Sequence, residues 1–287
     1  MSPSRTLVGL AIRIYRSTPL HPRFGAFFAR LLSLVQRRQG VILADLGAFK
    51  IELDLQQVVD SQVYYTGRFE PRTVETICRL VRPGSVAVDV GANMGFMTLT
   101  LAAQVGDTGR VYAFEPTENA FQRLERNLAL NSFPQIHVQR LALSDREGTV
   151  RARIRSSYPI HGNDTVEEQE ITLATLDGWV TQQQIYRIDF IKIDTDGMEM
   201  KVLRGAQETL RRFRPVVIFE LIPQDITDAG DSAEALVQLL QELKYRLLHE
   251  GSLQPWRDYE EAINSTKRGA CVNVVAWPIE RPLQAAT

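Results

Sequence analysis

The chain has 287 residues, 44% of them hydrophobic and 23% charged, with a formal net charge of −1. Such a length and composition support a large buried core and exclude wholesale disorder. The near-zero net charge gives no global attraction to nucleic acid.

The first segments are basic. No acid precedes Asp45, whereas Arg5, Arg13, Arg16, Arg23, Arg30, Arg37 and Arg38 do, so the first forty residues carry about +7 and the remainder about −8. LVGLAIRIY and FGAFFARLLSLVQRR, split by Thr18, Pro19 and Pro22, read as two helices with arginines on one face. They suit an anionic membrane surface, a homodimer contact through residues 1–40, or packing onto their own domain. Arg13 and Arg16 make a poor secretory signal, and no apolar run is long enough to span a bilayer. A cytoplasmic, optionally membrane-associated protein is expected.

VILADLGAFKIELDL, with Gly47 at its middle, predicts a β-hairpin. SQVYYTGRFEP then leads into a helix starting near Pro71. Cys78 falls in the apolar pattern VETICRLV of that helix, and with the distant Cys271 it reads as a reduced packing thiol. The expected division is an appendage over 1–71 and a main domain over 72–287.

From Ser85 strands and helices alternate. VAVDV, RVYAFEP, IHVQRLAL, DFIKID and PVVIFEL read as strands. FMTLTLAAQV, ENAFQRLERNLALN, EMKVLRGAQETLRRF and DSAEALVQLLQELKY read as helices. A polar loop is expected around 158–170, and YRLLHE and CVNVVAWP form a closing strand pair. The alternation predicts an α/β fold, a mostly parallel sheet with helices on both faces.

VAVDVGANMGFMTL is the strongest local signal. Gly91 permits a tight turn and a close backbone approach, and Gly95 lets the following helix pack closely on the strand. Glu115, ending the second strand, can accept both hydroxyls of a ribose. Asp89 and Asn93 separate two candidate ligands. A carboxylate there repels a pyrophosphate and attracts an ammonium or sulfonium, so S-adenosylmethionine is favoured over a dinucleotide. By position, Ser144 and Asp145 follow the third strand, where an adenine edge is read.

Taken together, VDVGANMGFMTL, YAFEP, LALSDREG, LDGW and FIKIDTDGMEMKVLRGA resemble the FkbM family of S-adenosylmethionine-dependent methyltransferases, over roughly residues 50 to 222. The resemblance implies a class I, Rossmann-like seven-stranded sheet with an antiparallel last strand. It also implies O-methylation of a sugar, glycoconjugate or secondary metabolite, and it brings Glu70 to the methionine end of the cofactor. One motif departs: the family's Asp-Val-Glu-Gly reads Asp194, Thr195, Asp196, Gly197 here, one methylene shorter at position 196.

If the resemblance holds, the FIKID strand borders the glycine-turn strand. Asp194, Asp196 and Glu220 then converge near the transferred methyl group, as proton acceptors or as ligands of a divalent cation such as Mg²⁺. Lys192, the odd charge in a central strand, reads as a buried ion pair with one of these acids, for example Glu220. Asp196 and Glu199 have the spacing of a helix capping box. His161, in the polar loop, is a weaker base candidate, while His137 and His249 read as packing or edge residues. The alternatives are a nicotinamide-dependent sugar oxidoreductase, disfavoured by Asp89, Asn93 and the lack of a Tyr-x-x-x-Lys pair, and a non-catalytic cofactor-binding scaffold.

Overall fold

The computed structural model describes residues 40–155, 166–257, 259–265 and 272–282. The two expected N-terminal helices, with their membrane or dimer contacts, and also His161 and Cys271 lie outside the described residues.

The chain opens with the expected hairpin, β1 (Val41–Asp45) and β2 (Lys50–Asp54), turned at Gly47. An unforeseen helix, α1 (Val58–Thr66), fills the lead-in, and α2 (Pro71–Leu80) starts at Pro71, whose fixed φ and missing N–H suit a first helical position. Then follow β3 (Val86–Val90), α3 (Phe96–Val105), β4 (Arg110–Phe114), α4 (Glu118–Ala129) and β5 (Ile136–Gln139). After β6 (Ala142–Leu143), β7 (Gly148–Arg155), β8 (Val166–Ala174) and α5 (Leu176–Gln182), the main sheet resumes with β9 (Phe190–Ile193). The remainder is α6 (Glu199–Arg204), α7 (Gln207–Phe213), β10 (Val216–Leu221), α8 (Pro223–Asp228), α9 (Ala233–Glu242), β11 (Tyr245–His249), α10 (Tyr259–Ser265) and β12 (Val272–Pro278).

Seven strands form one sheet in the order β11-β12-β10-β9-β3-β4-β5. Every pairing from β10 to β5 is parallel, and β12, the last strand, is antiparallel to both neighbours. Side chains alternate between the two faces. Val88, Val90, Ile191, Ile193, Val217 and Phe219 face a core with α5, α6, α7 and α9. Ala87, Val111, Phe190, Ile218 and Val275 face a second core built with β2, α1, α2 and α3. No described helix is long and apolar enough to cross a membrane.

Four expectations need correction. IHVQRLAL is not one strand: β5 stays in the main sheet, while β6 pairs with β8 in a separate three-stranded sheet. The polar loop is shorter than expected, because β8 begins at Val166 and pairs with β7. Arg151 faces Glu170 and Arg153 faces Glu168 across that hairpin, so opposite charges support its exposed face, while Val150, Ala152 and Ile154 alternate with them on the other. The helix after β9 breaks at Gly205, where an added Cβ would stand 1.9 Å from the Ser144 carbonyl oxygen. Cys78 lies on the exposed face of α2 rather than in the core.

Candidate active site

The site is built at the carboxyl ends of β9, β3 and β4, where an open parallel sheet leaves a crevice. After β3 the chain turns sharply. The N–H groups of Gly91 and Ala92 both donate to the Phe114 carbonyl at 3.0 Å. Gly91 (φ +78), Asn93 (φ +48) and Gly95 (φ +95) alternate through the left-handed region. Each glycine is required by a contact inside the protein. A Cβ on Gly91 would stand 1.8 Å from the Asp194 carbonyl oxygen, so this glycine fastens the ends of β3 and β9 together. Gly95 packs against Leu124 of α4, 2.6 Å from its Cβ position, rather than against the strand.

Glu115 is 5% exposed. It accepts from Asn93 N at 2.8 Å, Thr117 N at 2.9 Å and Thr117 Oγ1 at 2.6 Å. A carboxylate offers about four acceptor positions. One acceptor position therefore remains, where the sequence suggested room for two hydroxyls. Burial raises the carboxyl above its ordinary range despite these donors.

The opposite shoulder is held by charge. Asp89 and Lys192 are direct cross-strand partners in the β3 and β9 register, on the same face as Ala87 and Phe190. Asp89 is fully buried. Its Oδ2 accepts from Thr98 Oγ1 at 2.5 Å, and its Oδ1 has no hydrogen-bond partner. Lys192 Nζ lies 3.6 Å from Asp89 Oδ1, 3.0 Å from Asp194 Oδ2 and 3.4 Å from the Gly91 carbonyl oxygen. Lys192 thus forms the expected buried ion pair with one of the strand-end acids, Asp194, and lies beside Asp89 as well. Burial pulls its ammonium down, yet Asp194, Asp89 and Glu70 outweigh burial and hold it well above the ordinary value.

Glu70 precedes α2 in a left-handed conformation (φ 43, ψ 67) that is strained for a residue with a side chain. Its Oε2 lies 3.1 Å from Thr73 Oγ1 and 3.4 Å from Asn273 Nδ2. Burial and then the charge of Asp194 raise its carboxyl, with Lys192 opposing. Two carboxylates, Asp89 and Asp194, therefore lie within 3.6 Å of one buried ammonium, and the charge of a third, Glu70, also acts on it. That surplus of negative charge fits a ligand bearing an ammonium and a sulfonium, and opposes a pyrophosphate.

The other candidates are more dispersed. Asp196 sits on an exposed left-handed turn (φ 49). The next residue, Gly197, packs under α8, where a Cβ would stand 2.5 Å from the Asp225 carbonyl oxygen. Glu220 is half-buried beside Asn273 of β12. The expected cation site is not formed: among the described residues no three His, Cys, Asp or Glu side chains gather as metal ligands. Lys192 already supplies a positive charge to one of those acids, Asp194, at 3.0 Å. Glu199 does bind backbone as expected, but its Oε1 accepts from Thr195 N and Oγ1, at 2.8 and 2.9 Å, so the box is anchored one residue earlier than Asp196. Ser144 is buried, with Oγ 3.4 Å from Oδ1 of the exposed Asp145. His137 stacks on Tyr112 and His249 on Trp256.

Sequence reasoning missed Thr73, Glu250 and Asn273. Thr73 Oγ1 lies 2.5 Å from Glu250 Oε1, and Asn273 Nδ2 lies 2.9 Å from Thr73 Oγ1. Asn273, a polar residue inside the apolar run VNVVAW, was the one available signal.

The family described as Methyltransferase FkbM domain matches residues 89–247. AMB antimetabolite synthetase AmbE of Pseudomonas aeruginosa is 30% identical over 201 residues, 55% of this chain but only 9% of that much longer protein. Hexuronic acid methyltransferase AglP of Haloferax volcanii is 25% identical over 223 residues, 74% of this chain and 90% of its own length. The 2-O-methyltransferase NoeI of Sinorhizobium fredii is 23% identical over 196 residues, 58% of this chain and 75% of that protein.

Proposed function

The chain belongs to the FkbM family of S-adenosylmethionine-dependent methyltransferases, and from that premise we propose that it methylates a hydroxyl of a sugar, a sugar acid or a related secondary metabolite. The observation that carries the site assignment is the surplus of carboxylates around Lys192 at the strand ends. The names of AglP and NoeI support a sugar-like acceptor and transfer to oxygen. The oxidoreductase and scaffold alternatives fall with the family assignment.

The cofactor supplies an electrophilic methyl group on a sulfonium. Glu115 and the turn at Asn93 receive the ribose, with Ser144 and Asp145 on the adenine side. Glu70 faces the ammonium of the methionine end. Asp194 would orient the acceptor hydroxyl and take its proton on a carboxylate oxygen as the oxygen–carbon bond forms and the sulfur–carbon bond breaks, the sulfur leaving as a neutral thioether. Lys192 acts through Asp194, fixing that carboxylate against the end of β3. Asp196 and Glu220 flank the acceptor. Most of the acceleration comes from holding oxygen, methyl and sulfur in line.

Transfer of labelled methyl to a panel of hexuronic acids, neutral sugars and polyols tests this reading. We expect an alkali-stable methyl ether, formed about 10²-fold or more slowly by Asp194→Asn. An alkali-labile methyl ester, or methylation at nitrogen or sulfur, overturns the hydroxyl assignment.

A further inference from the structure

Behind Glu70 lies a polar cluster that methyl transfer itself does not use. It joins the start of α2 (Glu70, Thr73), the turn after β11 (Glu250) and β12 (Asn273). The Thr73 hydroxyl stands between two carboxylates, 2.5 Å from Glu250 Oε1 and 3.1 Å from Glu70 Oε2. A hydroxyl carries one hydrogen and two lone pairs. Asn273 Nδ2 donates to one lone pair at 2.9 Å. If the single hydrogen goes to Glu250, the hydroxyl faces Glu70 acceptor against acceptor. If it goes to Glu70, the same conflict falls on Glu250. Thr73 is almost fully buried, so water does not readily replace a missing donor. One added proton on either carboxyl resolves the conflict: that carboxyl then donates to the hydroxyl oxygen, and the hydroxyl donates to the other.

We propose that Glu70, Thr73, Glu250 and Asn273 form a relay that holds one proton in the free enzyme and releases it to solvent when the cofactor's ammonium docks against Glu70, with Glu250 the positioning residue that makes the proton shared. This rests on the reading above that Glu70 faces the methionine end of the cofactor. The charges facing the relay come from several elements: Arg72 on α2, Lys192 on β9 with Asp194 just past its end, and Glu220 on β10 opposite Asn273. Burial, together with the charge of Glu70, pushes Glu250 up to about 7, and burial with Asp194 raises Glu70. An arriving cation favours both carboxylates in their charged form, so the proton leaves. The sign follows: below about pH 7 the ligand must displace the proton, and affinity rises with pH until the relay is already empty.

Calorimetric titration with S-adenosylhomocysteine, in buffers of different ionisation enthalpy, counts the protons released. The wild-type protein should release about three-quarters of a proton per site near pH 6.5, approaching one at lower pH, with affinity climbing toward tenfold per pH unit below about pH 7. Glu250→Gln, which keeps the shape and a polar partner for Thr73, should abolish both the release and the slope. Binding without proton release, or release unchanged in Glu250→Gln, overturns the relay and leaves the methyltransferase site intact. Absence of binding instead strikes the cofactor-site reading, and the relay is then judged without ligand by carboxyl ¹³C NMR. Two coupled titration steps that collapse to one in Glu250→Gln support it, and two independent, ordinary titrations overturn it. Thr73→Val, which should uncouple the two carboxyls, serves as a second variant if Glu250→Gln does not fold.

Discussion

Glu115 and Asp194 stand on either side of the β3 end, each just past its strand, yet they are held in opposite ways. Glu115 is fixed by neutral donors, two backbone N–H groups and one hydroxyl. Asp194 is fixed by an ammonium that is itself buried between two acids. The first arrangement carries its own desolvation cost, which three donors offset only in part, and leaves one acceptor position on the carboxylate. The second confines net charge in a half-buried place, which is tolerable only while its parts stay matched. The two shoulders should therefore fail differently.

The charged shoulder should fail first and hardest. Lys192→Met leaves Asp89 buried with no counter-charge, and we expect about 3–5 kcal/mol of lost stability in urea unfolding. Adding Asp89→Asn should recover much of it, because the orphaned charge is then gone. A loss under about 1 kcal/mol in the single variant would mean that water reaches the pair and that the contrast drawn here is false. On the neutral shoulder the damage should appear in binding. Glu115→Ala should weaken S-adenosylhomocysteine by about ten- to a hundredfold, the range of one hydrogen bond to a charged group. An unchanged affinity would remove Glu115 from the cofactor site.

The smallest effect sharpens the comparison through pH. Glu250 has an ordinary value of 4.5 and a folded value of about 7, so the native state binds more protons than the unfolded chain between those limits. Stability should then fall as pH rises from about 4.5 to 7, with the full contribution present only below that window. Glu70, Glu115 and Glu199, also raised by burial, act in the same direction. Melting temperatures of Glu250→Gln across that range should show a shallower decline than those of wild type, and parallel curves would remove Glu250 as a contributor.

The neutral shoulder was the legible one. β3, its turn, α3 and Glu115 are contiguous or nearly so, and apolar runs bounded by glycine announce them. The charged shoulder needed the sheet order first: Asp89 meets Lys192 only because β3 borders β9 with those residues in register. Glu220 looked equally suitable from its strand-end position. The relay was further out of reach, since Thr73 and Glu250 are 177 residues apart and Thr73 and Asn273 are 200 apart. Other misses had local causes. In α1, VVDSQVYYT buries Asp60, which pairs with Arg123 of α4, so the helix has no clean apolar stripe. The β7 and β8 strands hide behind alternating charges that satisfy one another. EMKVLRGAQETLRRF read as one helix because the contact that breaks it at Gly205, the Ser144 carbonyl, comes from a distant segment.

The contact between Gly91 and the Asp194 carbonyl has a bearing on how such a protein diverges. The two strands that carry donor and acceptor groups touch through backbone, so position 91 is closed to every side chain whatever ligand is used. Asp196 and Met198, a few residues further along, have exposed side chains. Selection can therefore refit the outer rim to a new clientele while the seam beneath passes unaltered from ancestor to descendant.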